Sequence, residues 1–124
     1  MKITREMVEQ ANHRFVEAWN RGDIEAACEL YAEQARYITS TGITYGRQAI
    51  LKAYQQAYPD PSTMGRLSLL LKDFRASSVA ENQVAYAIFA WKVTSADDKT
   101  SQGWAAEVYE LINGKLRVVQ DASM

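Results

Sequence analysis

The sequence predicts an α+β fold. Two observations carry it. In the first half, apolar residues recur three or four apart, as on one face of a helix; in the second, four runs of strand character alternate with short, turn-rich segments. Helices first and strands afterwards, with connections too short for crossovers, indicate helices packed on an antiparallel meander. The 124 residues are expected to form one domain, 1–124, and a hydrophobic content of 48% supplies a core without disulfide staples.

The first helix is expected in "TREMVEQANHRFVEAWNRGD", where Val8, Ala11, Phe15, Ala18 and Trp19 make one stripe. Thr4 can cap its start and Gly22 can end it. Asp23 caps a second helix, with Ile24, Ala27, Cys28 and Tyr31 as its stripe. "ARYITSTGITYG" has β-branched residues around a glycine turn and reads as a strand or ribbon. A third helix, "RQAILKAYQQAY", is expected to bury Ile50, Ala53, Tyr54 and Ala57, and "PDPST" stops it. "RLSLLLKDFRAS", "QVAYAIFAWKVT", "QGWAAEVYELI" and "KLRVVQDAS" are the four strands, separated by "SVAEN", "SADDKTS" and "NG".

The strand "VAYAIFAWKV" is apolar on both faces, so both are expected to be covered. The helices cover one. The other, expected to carry Phe89 and Trp91 together with Trp104, Ala106 and Val108 of the next strand, needs a second cover. A second copy of the same sheet is the simplest, giving a two-fold homodimer.

Composition narrows the function. Lys and Arg number 14 and Asp and Glu 15, so the basic excess of a nucleic-acid binder is missing. No apolar run approaches a membrane span or a signal peptide, and the single Cys28 allows no intramolecular disulfide. A soluble, cytoplasmic protein is the expectation. Metal-ligand spacing, a phosphate-binding glycine loop and a Ser-His-Asp arrangement are all missing, so no cofactor or metal is expected. His13 lies off the helical stripe and should face solvent. The singular feature is Asp121, a carboxylate in an otherwise apolar last strand.

The segment "FVEAWNRGDIEAACELYAEQARYITSTGITYGRQAILKAY" carries W-N-x-G-D between two helices, L-Y-A-x-x-A into a strand and G-R-x-A-I starting the third helix. In this order, followed by the meander, the chain resembles the SnoaL-like proteins of the nuclear transport factor 2-like superfamily along essentially its whole length. The resemblance implies a cone: a curved antiparallel sheet wrapped around three helices, a cystatin-like α+β roll open at one end, often dimeric through its outer face.

The same resemblance bears on the chemistry. Ketosteroid isomerases are similar in helix order, but their base matches Thr39 and their oxyanion-binding tyrosine matches Phe15, neither of which can serve. Tyr31 and Tyr54 echo their supporting tyrosines, and their protonated acid falls near Glu107. Limonene epoxide hydrolases resemble the chain's ending. One of their aspartates falls on Asp121, while their arginine and other aspartate match Lys92 and Thr94. Polyketide cyclases use an aspartate resembling Asp121 in place. The resemblance thus implies a cavity for a small apolar or aromatic molecule, lined by Phe15, Trp19, Tyr37, Tyr54, Tyr86, Tyr109 and Val119. It also implies cofactor-independent acid/base chemistry at Asp121, tuned by Glu107 or Lys92 and assisted by a hydrogen bond from Tyr37 or Tyr54. A non-catalytic binding or dimerisation module is the alternative.

The last hairpin decides which residues meet. A two-residue loop at Asn113-Gly114 pairs Ile112 with Lys115 and sends Glu107 and Asp121 to opposite faces. A three-residue loop pairs Leu111 with Lys115 and puts Glu107, Tyr109, Val119 and Asp121 on one face. The "NG" signal favours the first. The resemblance favours the second, which is the expectation carried forward.

Overall fold

The computed structural model describes residues 2–77 and 83–124; the expected turn "SVAEN" lies outside them. Three helices precede most of the sheet: α1 (Arg5–Asn20), α2 (Ile24–Cys28) and, after a hairpin of β1 (Tyr31–Thr39) and β2 (Gly42–Tyr45), α3 (Arg47–Ala57). Then come β3 (Arg66–Ser77), β4 (Val84–Thr94), β5 (Thr100–Ile112) and β6 (Lys115–Ser123).

The helices form for the reasons their sequences carry. The Thr4 hydroxyl accepts from the Met7 N–H and the Asp23 carboxylate from the Ala26 N–H, satisfying donors that a first helical turn leaves free. Val8, Ala11, Ala18 and Trp19 of α1 are buried, as expected. In α3 the buried face is not the expected one throughout. Ile50 is buried and Tyr54 half-buried, but Ala53 and Ala57 are exposed, and Leu51 and Tyr58 pack against the core instead. The larger side chains set the helix rotation, and the alanines turn outward. Tyr31, expected on the second helix, is the first residue of β1.

The six strands lie in the order β2-β1-β6-β5-β4-β3 in one curved, unclosed sheet. β3 to β6 are the expected antiparallel meander. The expectation of a wholly antiparallel sheet is corrected at one seam: β6 runs parallel to β1, with Tyr37 opposite Asp121. The sheet is therefore mixed, and β6 sits inside it rather than at an edge. The Asn20 side chain locks α1 to the sheet, accepting from the Leu67 N–H at 2.8 Å and donating to the Leu67 carbonyl at 3.2 Å. It behaves there as one residue of a neighbouring strand.

Two features of register differ from expectation. Asn113 (φ 52°) and Gly114 (φ 77°) form a two-residue hairpin loop, with Ile112 opposite Lys115. Consecutive left-handed residues are what this loop type demands, and the Asn-Gly pair supplies them. Glu107 and Asp121 nevertheless pair directly, because the ladder steps from Val108↔Gln120 to Tyr109↔Val118. Val119 is the extra residue of a β-bulge, which resets the alternation of β6 beyond it.

The faces of β4 are the reverse of those expected. Ala85, Ala87 and Phe89 are buried, and Trp91 packs against the same core, whereas Tyr86, Ile88 and Lys92 are exposed. Cross-strand pairing fixes this: Phe89 lies opposite Ala105 and Ala87 opposite Glu107, all on the helix side. Phe89 and Trp91 thus do not belong to the outer face. Trp104 does, and Leu70, Tyr86 and Ile88 join it there.

Candidate functional site

A cavity of about 200 Å³ lies between the helices and the concave side of the sheet. Its wall is mostly apolar and aromatic, with Phe15 and Trp19 from α1, Tyr54 from α3, and Leu67 and Trp91 from β3 and β4. The rings hold one another edge-on: Trp19 meets Tyr54 at 5.6 Å between centroids and 83° between planes, and Tyr37 meets Tyr54 at 5.8 Å and 65°. Its polar end is built by Glu107, Asp121, Ser123, Asn12, Tyr31 and Tyr37.

Asp121 is only 3% exposed. The Tyr31 hydroxyl donates to its Oδ2 at 2.7 Å, and the Ser123 hydroxyl to its Oδ1 at 2.8 Å. Glu107 is its direct cross-strand partner on β5 and lines the same cavity. The Tyr109 hydroxyl donates to Glu107 Oε1, and the Asn12 amide donates to the Tyr109 hydroxyl. Two carboxyls facing each other across a strand pair cannot both ionise cheaply away from bulk water. Burial, and then the charge of Asp121, push the Glu107 carboxyl well above the ordinary carboxylate range. Burial raises Asp121 too, against the three donors that favour its anion. The two titrate as a coupled pair, in which Asp121, with more donors, is favoured as the anion and Glu107 as the protonated partner.

The surrounding tyrosines stay neutral. Burial pushes Tyr31, Tyr54 and Tyr109 well above the ordinary phenol value and raises Tyr37. Tyr54 donates to the Tyr37 hydroxyl at 3.2 Å. Two indole N–H groups of cavity-lining residues, Trp19 and Trp91, have no hydrogen-bond partner among the described residues. Burial pushes the Cys28 thiol up to about 12, which leaves it unreactive near neutral pH.

Of the residues expected at the site, Phe15, Trp19, Tyr37, Tyr54, Glu107 and Asp121 line this cavity. Tyr109 stands behind Glu107, fully buried. Three lie elsewhere. Lys92 is exposed on the convex face, so it cannot sit between the two acids, and Tyr86 is exposed on the same side. Both follow from the reversed faces of β4. Val119 is the bulge residue and lines a surface groove with Glu33, Arg47 and Lys115.

Asn12 is the residue that sequence reasoning passed over. It is 3% exposed, its amide nitrogen bonded to both the Val8 carbonyl at 2.9 Å and Tyr109. Its position was the available signal: 8, 12, 15 and 19 are helically spaced, so Asn12 shares the buried face of α1. Trp91 was likewise assigned to the wrong side of β4. Among the described residues, no group of three or more His, Cys, Asp and Glu side chains is arranged to hold a metal ion.

The model of the SnoaL-like domain matches residues 12–119. An NTF-2 like protein of unknown function from Shewanella oneidensis is similar over 95% of this chain and 96% of its own, with a TM-score of 0.85 and 26% identity. A domain of unknown function with a cystatin-like fold from Nostoc punctiforme is similar over 98% and 78%, with a TM-score of 0.79 and 21% identity. A nuclear transport factor 2-like superfamily protein from Salmonella enterica is similar over 96% and 88%, with a TM-score of 0.68 and 16% identity. No curated protein sequence matches the chain.

Proposed function

Because the chain belongs to the SnoaL-like domain family of the NTF2-like superfamily, we propose that its cavity binds a small apolar or aromatic molecule and performs cofactor-independent acid/base chemistry on it with Asp121. The observation that carries this reading is the Glu107–Asp121 pair: a half-buried and a buried carboxyl, direct cross-strand partners at the polar end of an otherwise apolar cavity. An apolar pocket with few convergent polar groups suits small-molecule binding. A carboxylate raised toward neutrality is a stronger base than one in water, and a neutral acid beside it can return a proton.

The ligand is about one ring in size. A cavity of about 200 Å³ is little larger than the roughly 150 Å³ that accommodates benzene. The unpartnered indole N–H groups of Trp19 and Trp91 favour a ligand carrying an oxygen acceptor, since a buried donor without a partner costs about 1–3 kcal/mol. A cyclic ketone meets both conditions. Asp121 would take a proton from the carbon next to the carbonyl, leaving an enolate whose oxygen receives a hydrogen bond from Tyr37, whose hydroxyl accepts from Tyr54 and so keeps its own proton to donate.

Deuterium exchange tests this directly. Cyclopentanone in heavy water, followed by proton NMR, is expected to exchange its α-protons faster with the protein than with buffer, and Asp121→Asn should remove the acceleration. If wild type and Asp121→Asn exchange alike, the catalytic reading fails. Cyclopentanone that binds without exchanging would favour the non-catalytic module, which is compatible with an Asp121 already satisfied by Tyr31 and Ser123.

The reading includes a homodimer through the convex face of the sheet. Leu70, Ala90 and Trp104 form one cross-strand row there, and Ile88, Ala106 and Ala122 the next. Leu70 and Trp104 are 59% and 58% exposed, and an apolar surface of this kind is the usual mark of a partner. A single buried free cysteine accords with a reducing compartment such as the cytoplasm.

A further inference from the structure

Asn12 contributes no atom to the carboxyl pair, yet it constrains the proton that the pair shares. Its amide nitrogen carries two hydrogens. One is committed to the Val8 carbonyl at 2.9 Å, and the other points to the Tyr109 oxygen. The amide cannot be turned over, because its own oxygen would then face the Val8 carbonyl. Facing Tyr109, Asn12 is therefore only a donor. A phenol that accepts a hydrogen bond has one proton left to place, and that proton goes to Glu107 Oε1.

We propose that Asn12 is a positioning residue for the Glu107–Asp121 pair: by fixing the Tyr109 hydroxyl as a donor to Glu107 Oε1, it leaves the shared proton to the other Glu107 oxygen, directed at Asp121. The inference rests on the reading of this pair as the chemistry of the cavity. It extends that reading by naming what sets the direction of the proton. The hydrogen bonds run Asn12 to Tyr109 to Glu107, which is the cross-strand partner of Asp121, and Tyr31 and Ser123 donate to Asp121 as well. All converge on Asp121, so it is the acceptor of the network and therefore the base. Without the Asn12 donor, Tyr109 is free to turn and accept the Glu107 proton itself, which draws that proton away from Asp121.

The groups facing the pair are few. Tyr31 and Tyr37 come from β1, Tyr54 from α3, Tyr109 from β5 and Ser123 from β6, and no Lys, Arg or His lines the cavity among the described residues. A titration of the pair thus reads this network with little interference.

Carboxyl-carbon NMR of Glu107 and Asp121, on the whole chain and without ligand, is the test. A donor to a carboxyl favours its ionised form, so losing one raises the pKa. Asn12→Leu, close in volume and unable to donate, is expected to move the upper titration step of the pair to higher pH, an about tenfold fall in the proton-dissociation constant. Tyr109→Phe should raise it similarly, and the double variant should add little, since the two act through one bond. If Asn12→Leu leaves the step where the wild type has it while Tyr109→Phe raises it, Asn12 is only a structural residue and the inference is overturned. If Asn12→Leu does not fold, Tyr109→Phe decides alone, and an unchanged step overturns the inference. A wild-type pair that titrates in the ordinary carboxylate range removes the acid/base reading as well. Failure of ketone exchange with the expected titration intact removes only the catalytic reading.

Discussion

Two acids facing each other on the central strand pair of a sheet would ordinarily be a liability. Here each has donors: Asp121 those of Tyr31 and Ser123, Glu107 that of Tyr109. The arrangement still has a cost that depends on pH. Both carboxyls titrate higher in the folded chain than their ordinary values, so the folded state holds protons that the unfolded state has already released. Their contribution to stability is fully present below about pH 4, the value for unfolded carboxyls, and is lost as pH rises through the raised folded values. Glu107→Gln mimics the protonated acid, keeping an oxygen for Tyr109 and offering an N–H to Asp121. Thermal denaturation measured between about pH 4 and pH 8 is expected to decline with pH less steeply in this variant than in wild type. An equal decline would mean that the pair is not the source.

At the scale of elements, the bulge at Val119 decides the site. With the two-residue Asn113-Gly114 loop, unbroken alternation would turn Asp121 away from Glu107. One extra residue in β6 restores it. Deleting Val119 is expected to send Asp121 to the convex face or to shift the whole strand. Ring binding, read by the fluorescence of Trp19 and Trp91, should then be lost, with destabilisation of more than about 1 kcal/mol. Retained binding at wild-type strength would show that the bulge is dispensable. This element also marks the limit of what sequence could deliver. Helix order, caps and the four meander strands were all legible, because each follows from local spacing and capping chemistry. The inward aim of Asp121 was expected, but through a three-residue loop that does not exist. Bulges leave no local signature, and the register between strands depends on partners far along the chain. The reversed β4 has the same origin: both its faces are apolar, so alternation alone could not orient it, although Lys92 on one face was a hint of solvent. Asn12 was legible and missed, since its helical spacing already placed it on the buried stripe.

For the molecule as a whole, the helices cover only the concave side of the sheet, leaving the Leu70–Ala90–Trp104 row open on the other. The proposed dimer accounts for that row. Trp104→Glu puts a charge into it, and sedimentation is expected to show a monomer where wild type sediments as a dimer, with the cavity chemistry retained. A monomeric wild type at tens of micromolar would count against the dimer. The parallel seam between β1 and β6 has a consequence of a different kind, in time rather than space. β6 follows every other element in the chain, yet it lies in the middle of the sheet, between β1 and β5. During synthesis from the N-terminus, β1 must wait with one edge unpaired while the next three long strands are made, and Tyr31 waits with it for an acceptor roughly ninety residues away. Contacts of such separation close slowly. Until β6 is made, the nascent chain therefore has the inner edges of β1 and β5 open and an exposed apolar concavity, the condition in which chains associate wrongly or engage chaperones. The cavity, its base and the sheet's continuity all arrive together, with β6.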